Sequence, residues 1–117
     1  VADLVVKQHD TYPALRGLAK DQEGTMDLSG AESLKLILKA QTGVPPTVIE
    51  GVPKAIDPDV DPEHMNWEYE WALNDTAEVG TYNVELEITW DGKTTPPHVQ
   101  TVPNGSYATV EIKADLA

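Results

Sequence analysis

Asp57, Asp59 and Asp61 stand at alternate positions of Asp57-Pro58-Asp59-Val60-Asp61-Pro62, the spacing of the first oxygen ligands in a calcium-binding loop. Glu68 falls at the twelfth position of the same pattern, where a carboxylate closes such a site with both oxygens. The sixth position is Pro62, and the sharp turn there needs glycine, which excludes a helix–loop–helix calcium site. A looser calcium site on a β loop is the alternative; a stiff, solvated acidic loop is the default. His9, His64 and His98 are far apart, each in or beside a proline-containing turn, and are expected to be exposed loop residues rather than a catalytic set. Glycoside hydrolysis needs two carboxyls about 5 to 9 Å apart across a cleft, one of them with its pKa raised by burial. Glu68/Glu70 and Glu85/Glu87 instead occupy alternate strand positions, which puts each pair on one solvated face. No catalytic residue and no cofactor is therefore assigned. Trp67, Tyr69 and Trp71 would make a sugar platform if turned to solvent; large apolar groups at every second position mark instead the buried face of a strand.

The element that organises the chain runs from Asn74 to Trp90. In its second half Tyr82, Val84, Leu86, Ile88 and Trp90 alternate with Asn83, Glu85, Glu87 and Thr89, so one face is apolar and the other polar, as in a half-buried strand. Asp75 to Gly80 is a turn, with Asp75 able to bond nearby backbone and Gly80 able to take a positive φ. Tyr82, two residues beyond Gly80, stands where sandwich domains place a tyrosine corner, a buried ring whose hydroxyl bonds back to the preceding loop.

Earlier in the chain, Asp3–Gln8 reads as a first strand broken by His9–Pro13 and resumed at Ala14–Ala19, a split that lets a chain change sheets. Ser33–Ala40 reads as a strand with Leu34, Leu36 and Leu38 inward, and with Ile37 towards a partner or a covering loop. A helix over Ala31–Ala40 is the competing reading, since Leu, Lys and Ala favour helix; strand is preferred because it puts Lys35 and Lys39 in solvent on one face. Gln41–Gly51 is expected to be mostly turn, with Thr47-Val48-Ile49 a short edge segment; Val52–Ile56 is another edge candidate because Pro53 lacks a donor. Asn66–Leu73 alternates, with Trp67, Tyr69, Trp71 and Leu73 on one side. Asp91-Gly92 is a tight-turn signal. The proline-rich stretch Lys93–Asn104 follows, and Ser106–Ala114 closes the chain as a strand with Ala108, Val110, Ile112 and Ala114 inward. Turn signals every 8–12 residues or so make this an all-β, Ig-like sandwich of about seven to eight antiparallel strands, one domain over residues 1–117.

The 117 residues are 40% apolar, contain no Cys and no Phe, and carry 8 basic against 20 acidic side chains, a formal charge of −12. The absence of cysteine excludes disulfides, zinc–thiolate sites and thiol nucleophiles, and favours assembly in the cytosol. The negative surface repels nucleic acid and anionic lipid, so neither direct nucleic-acid binding nor membrane attachment is expected. No run approaches the roughly 20 apolar residues of a membrane span, and no basic-then-apolar leader is read at the start.

Several pieces resemble, in order, the Ig-like N-terminal domain of phage baseplate upper proteins. They are His9-Asp10-Thr11-Tyr12-Pro13, Asp27-Leu28-Ser29-Gly30-Ala31 and Tyr69-Glu70-Trp71, followed by Asp75-Thr76 with Gly80-Thr81-Tyr82, Asp91-Gly92-Lys93 and Pro103-Asn104-Gly105. The resemblance spans nearly the whole chain. It implies a virion protein made in the host cytoplasm, with other phage structural proteins and copies of itself as partners. Tail, baseplate, head–tail junction and capsid decoration all fit such a role. A carbohydrate- or receptor-binding module and a bacterial Ig-like interaction domain are the alternatives. Pro lowers the entropy lost when a loop is ordered on docking. The expected contact segment is accordingly Thr94, Thr95, Pro96, Pro97, His98, Val99 and Gln100, continuing to Val102. Gly43–Thr47 and the N-terminal segment through Pro13 are expected as secondary contacts.

Overall fold

The computed structural model describes residues 4–21, 24–57, 59–60, 65–102 and 108–114. The strands are β1 (Leu4–Lys7), β2 (Leu15–Gly17), β3 (Lys20–Asp21), β4 (Gly24–Thr25), β5 (Ser33–Gly43) and β6 (Pro46–Gly51). They continue with β7 (Lys54–Ala55), β8 (Trp67–Tyr69), β9 (Gly80–Asp91), β10 (His98–Val102) and β11 (Ala108–Lys113); a short 3-10 turn spans Leu28–Gly30. A large sheet has the order β1-β11-β9-β5-β6, with β10 also on β9. A smaller sheet has the order β2-β8-β7, and β3 and β4 form a separate ribbon. This is an all-β, sandwich-like fold with two unequal sheets.

Strand β9 is the axis of the large sheet because its alternation lets it be buried on one face along its full length. Tyr82, Val84, Leu86 and Ile88 are buried, and the residues between them are half-buried. On one side β5 pairs with it from Ser33↔Thr89 to Ala40↔Tyr82. On the other, β10 pairs with its C-terminal half and β11 with its N-terminal half, so β10 and β11 occupy the place of a single interrupted strand. That interruption and the two-residue segments β3, β4 and β7 account for the excess over seven or eight strands. The pairing is not purely antiparallel: β1 runs parallel to β11, in register Leu4↔Val110 to Lys7↔Lys113.

The split first strand does change sheets, β1 joining the large sheet and β2 the small one. The crossing passes through His9, at φ 71°, whose amide donates to Thr76 O at 3.1 Å. Buried Thr76 returns a bond from Oγ1 to Asp10 O at 2.7 Å. The core takes Leu34, Leu36 and Leu38 from β5, Trp67 and Tyr69 from β8 with Trp71 just beyond it, the four β9 residues, and Val110 and Ile112 from β11. Tyr69 and Trp71 meet edge to face, ring centroids 5.8 Å apart, a favoured aromatic geometry. Two glycines make room for these rings. A Cβ on Gly17 would enter the Trp67 indole, and one on Gly51 the Tyr69 ring.

Four expectations are corrected. Gln41–Gly51 is mostly strand, since β5 continues to Gly43 and β6 begins at Pro46, leaving only Val44-Pro45 as the turn; the β-branched run Thr47-Val48-Ile49 favours extended pairing with β5. Leu73 is 83% exposed rather than inward, because β8 ends at Tyr69 and the chain turns through Asn74 at φ 74°. Ala108, at the start of β11, and Ala114, just beyond its end, are exposed rather than inward, and only Val110 and Ile112 of that face are buried. Ile37 is half-buried on the outer face of the large sheet, between Glu85 and Glu50 in the register. Asn66 is an unanticipated anchor: fully buried, it accepts from Ala19 N at 2.7 Å and donates to Ala19 O and Met26 O, both at 2.9 Å.

Candidate functional site

The corner between β8 and β9 is built from three of the singled-out side chains. Asp75 Oδ2 accepts from the Tyr69 hydroxyl at 2.5 Å and from Ala72 N at 2.8 Å. Burial, and next the hydrogen bond to Asp75, push the Tyr69 phenol up to about 12. The Tyr82 hydroxyl donates to Glu78 O at 2.9 Å, the geometry of a tyrosine corner, and burial raises its pKa as well. Gly80 has φ 158°, near the extended limit, while the left-handed residue of this corner is Asn74. These groups hold one another. Their arrangement is structural.

The segment Thr94–Gln100 forms the far side of the β9–β10 hairpin. Asp91 opens it by accepting Lys93 N on Oδ1 at 2.9 Å. Thr94 Oγ1 lies 3.2 Å from Asp91 O and 2.8 Å from Pro96 O, and Gly92 N donates to Glu32 Oε2 at 2.6 Å. Thr95, Pro96, Pro97, His98 and Val99 are exposed. Gln100 is half-buried and accepts from Trp90 Nε1 at 3.0 Å. The hairpin is therefore a projecting segment with a firmly bonded base.

The secondary contact segments lie at the other end of the sandwich. There Gln8 Nε2 donates to Ala77 O at 2.7 Å and Trp71 Nε1 to Pro13 O at 2.9 Å. Thr47 Oγ1 donates to Glu78 Oε2 at 2.5 Å. Tyr12, Val44, Leu73 and Val79 project from these interlocked loops, all more than half exposed. Thr47 and the segment Gln8–Pro13 thus both reach the β8–β9 corner, and the length of β9 separates that corner from the hairpin tip at Thr94–Pro97.

Of the acidic loop, Asp57 and Asp59 are exposed, and Asp57 Oδ1 accepts Asp59 N at 2.9 Å; Asp61 lies outside the described residues, as do His64 and Pro103-Asn104-Gly105. Glu68 is not a free carboxylate. Arg16 Nε lies 2.6 Å from its Oε2 and Lys54 Nζ 3.4 Å from its Oε1, and the Arg16 bond above all holds its pKa below the ordinary value. Trp67, Tyr69 and Trp71 are all buried, so they form core and no platform.

One feature escapes the sequence. A cleft of about 280 Å³ opens between β6 and the corner, lined by Thr47, Val48, Ile49, Glu50, Asn74, Asp75, Ala77 and Glu78. Its β6 wall was visible as an edge segment and its other wall as a turn, but nothing in the spacing says that the two face each other. Compared with known families, characterised proteins and solved structures, the chain matches none.

Proposed function

We propose that this domain is a non-enzymatic structural protein of a phage particle, acting by protein–protein contact. What supports the reading is where the motifs that resemble those of baseplate upper proteins fall. His9–Pro13 is the crossing between sheets, Asp27 caps the 3-10 turn by accepting Ser29 N at 3.0 Å, Asp75 and Tyr82 bond the corner, and Asp91-Gly92 opens the hairpin. Each of these four motifs does a job at a joint of the sandwich. The burial of the three central-strand aromatics favours a contact module over a glycan-binding one. The projecting hairpin Thr94–Gln100 is the proposed primary contact. Tail, baseplate, head–tail junction and capsid surface all accommodate such a module.

The test is composition of purified particles. Mass spectrometry of virions from the phage whose genome carries this chain should find it in a fixed ratio to the major structural proteins. Deleting Pro96–Gln100 should leave the domain folded by circular dichroism and remove it from particles. Absence of the native chain from virions overturns the reading; full incorporation of the deletion variant moves the contact surface elsewhere.

A further inference from the structure

Strand β6 ends the large sheet. It pairs with β5 through Leu36↔Gly51 to Lys39↔Val48, and among the described residues no strand pairs with its other side. A free edge offers backbone donors and acceptors to another strand, and proteins commonly guard such edges with lysine. Pro-Thr-Val-Ile-Glu-Gly, residues 46–51, contains no basic side chain. The edge instead borders the 280 Å³ cleft, into whose lining Glu50, Asp75 and Glu78 bring three carboxylates and no Lys, Arg or His contributes. The Thr47–Glu78 hydrogen bond ties the two walls. An exposed ion pair between Lys35 and Glu50, at 3.4 Å, is worth little and is easily exchanged. Half-exposed Val48 and exposed Val44 and Val79 supply apolar surface on or beside the same edge.

We propose that the β6 edge and its cleft receive an extended, lysine- or arginine-bearing segment of a partner protein, added to the sheet as a further strand. Main-chain bonds to β6 give such a complex its affinity, and alternate side chains give it specificity. Here one set lies over Val48 and Glu50 on the outer face, and the basic heads of the other set reach Asp75 and Glu78 across the cleft. A second copy of this chain is a poor occupant, since it brings another charge of −12 and like charges brought together at an interface are repelled. The proposal rests on the reading that the protein acts through protein contact, and it adds the chemistry of the partner.

The probe is an alternating lysine–valine octapeptide, titrated into the ¹⁵N-labelled chain. Its glutamate–valine counterpart, and a lysine–valine peptide with a central proline, serve as controls. The lysine peptide should shift the amides of Thr47–Glu50 and Asn74–Glu78 and slow hydrogen exchange along β6, with affinity falling as salt rises. Changing Glu50→Gln together with Glu78→Gln, which leaves the Thr47 acceptor in place, should weaken binding about tenfold without altering the melting curve. Binding of the proline or glutamate peptide as strongly as the lysine peptide overturns the proposal. So do shifts centred on β10 or the acidic loop, and so does no binding. Any of these leaves the particle experiment and the hairpin deletion to stand or fall separately.

Discussion

Asn66 and Tyr82 are buried side chains whose polar groups bond to backbone across a corner or between segments distant in sequence. Removing the Asn66 amide strands two backbone groups, Ala19 N and Met26 O, in a place water does not reach, while Ala19 O keeps its bond from Met26 N at 3.0 Å. Asn66→Ala should therefore destabilise the fold by about 3 kcal/mol in urea titration, since each unsatisfied buried group costs about 1–3 kcal/mol. The Tyr82 hydroxyl makes one bond, to Glu78 O, so Tyr82→Phe should cost about 1 kcal/mol in the same measurement; an unchanged melt would mean the bond contributes nothing. These residues also mark how far the letters carry. Tyr82 is legible because strand alternation fixes its face and a turn ends two residues before it. Asn66 looks like an ordinary polar residue ahead of an aromatic strand, and its partners lie 40 and 47 positions upstream, beyond any local pattern.

In the smaller sheet, register explains what composition could not. Arg16, Glu68 and Lys54 stand side by side across β2, β8 and β7, so Glu68, at 13% side-chain exposure, is flanked by both cations. Alternation correctly put Glu68 on the outer face, but charge on neighbouring strands is invisible until pairing is known. Its folded-state pKa lies below the ordinary glutamate value of 4.5, so in the acid range the unfolded chain binds the proton first. The stabilisation from this clamp is thus fully present above 4.5 and fades as pH falls through the lower folded value. Urea titrations of the native chain and Glu68→Gln should differ at neutral pH and converge on acidification; a constant gap would show that the clamp is not electrostatic. The hairpin of β5 and β6 is the opposite lesson. Gly43, Pro45 and Pro46 signalled turn, yet β-branched neighbours and a long partner strand extended the ladder around a two-residue tip.

For the whole molecule, the sandwich class, the central strand, the change of sheets and the core were readable, because burial on one face leaves a period of two in the sequence. The parallel contact of β1 with β11 was not, since pairing between the two ends of a chain has no local signature. That contact has a mechanical consequence. Leu4 and Lys113 lie at opposite ends of two strands running the same way. A pull applied outward at those residues therefore drags β1 and β11 past each other, loading their ladder bonds together instead of peeling them one by one. Forced unfolding follows the barrier to that rupture rather than the equilibrium stability. In single-molecule stretching, Val6→Pro should lower the rupture force sharply. Stretching instead between cysteines introduced at Val44 and Leu73, on loop tips away from this pair of strands, should give a weaker barrier that the β1 substitution leaves unchanged. A domain held this way yields along one axis and resists along another, so its strength depends on which neighbours pull on it.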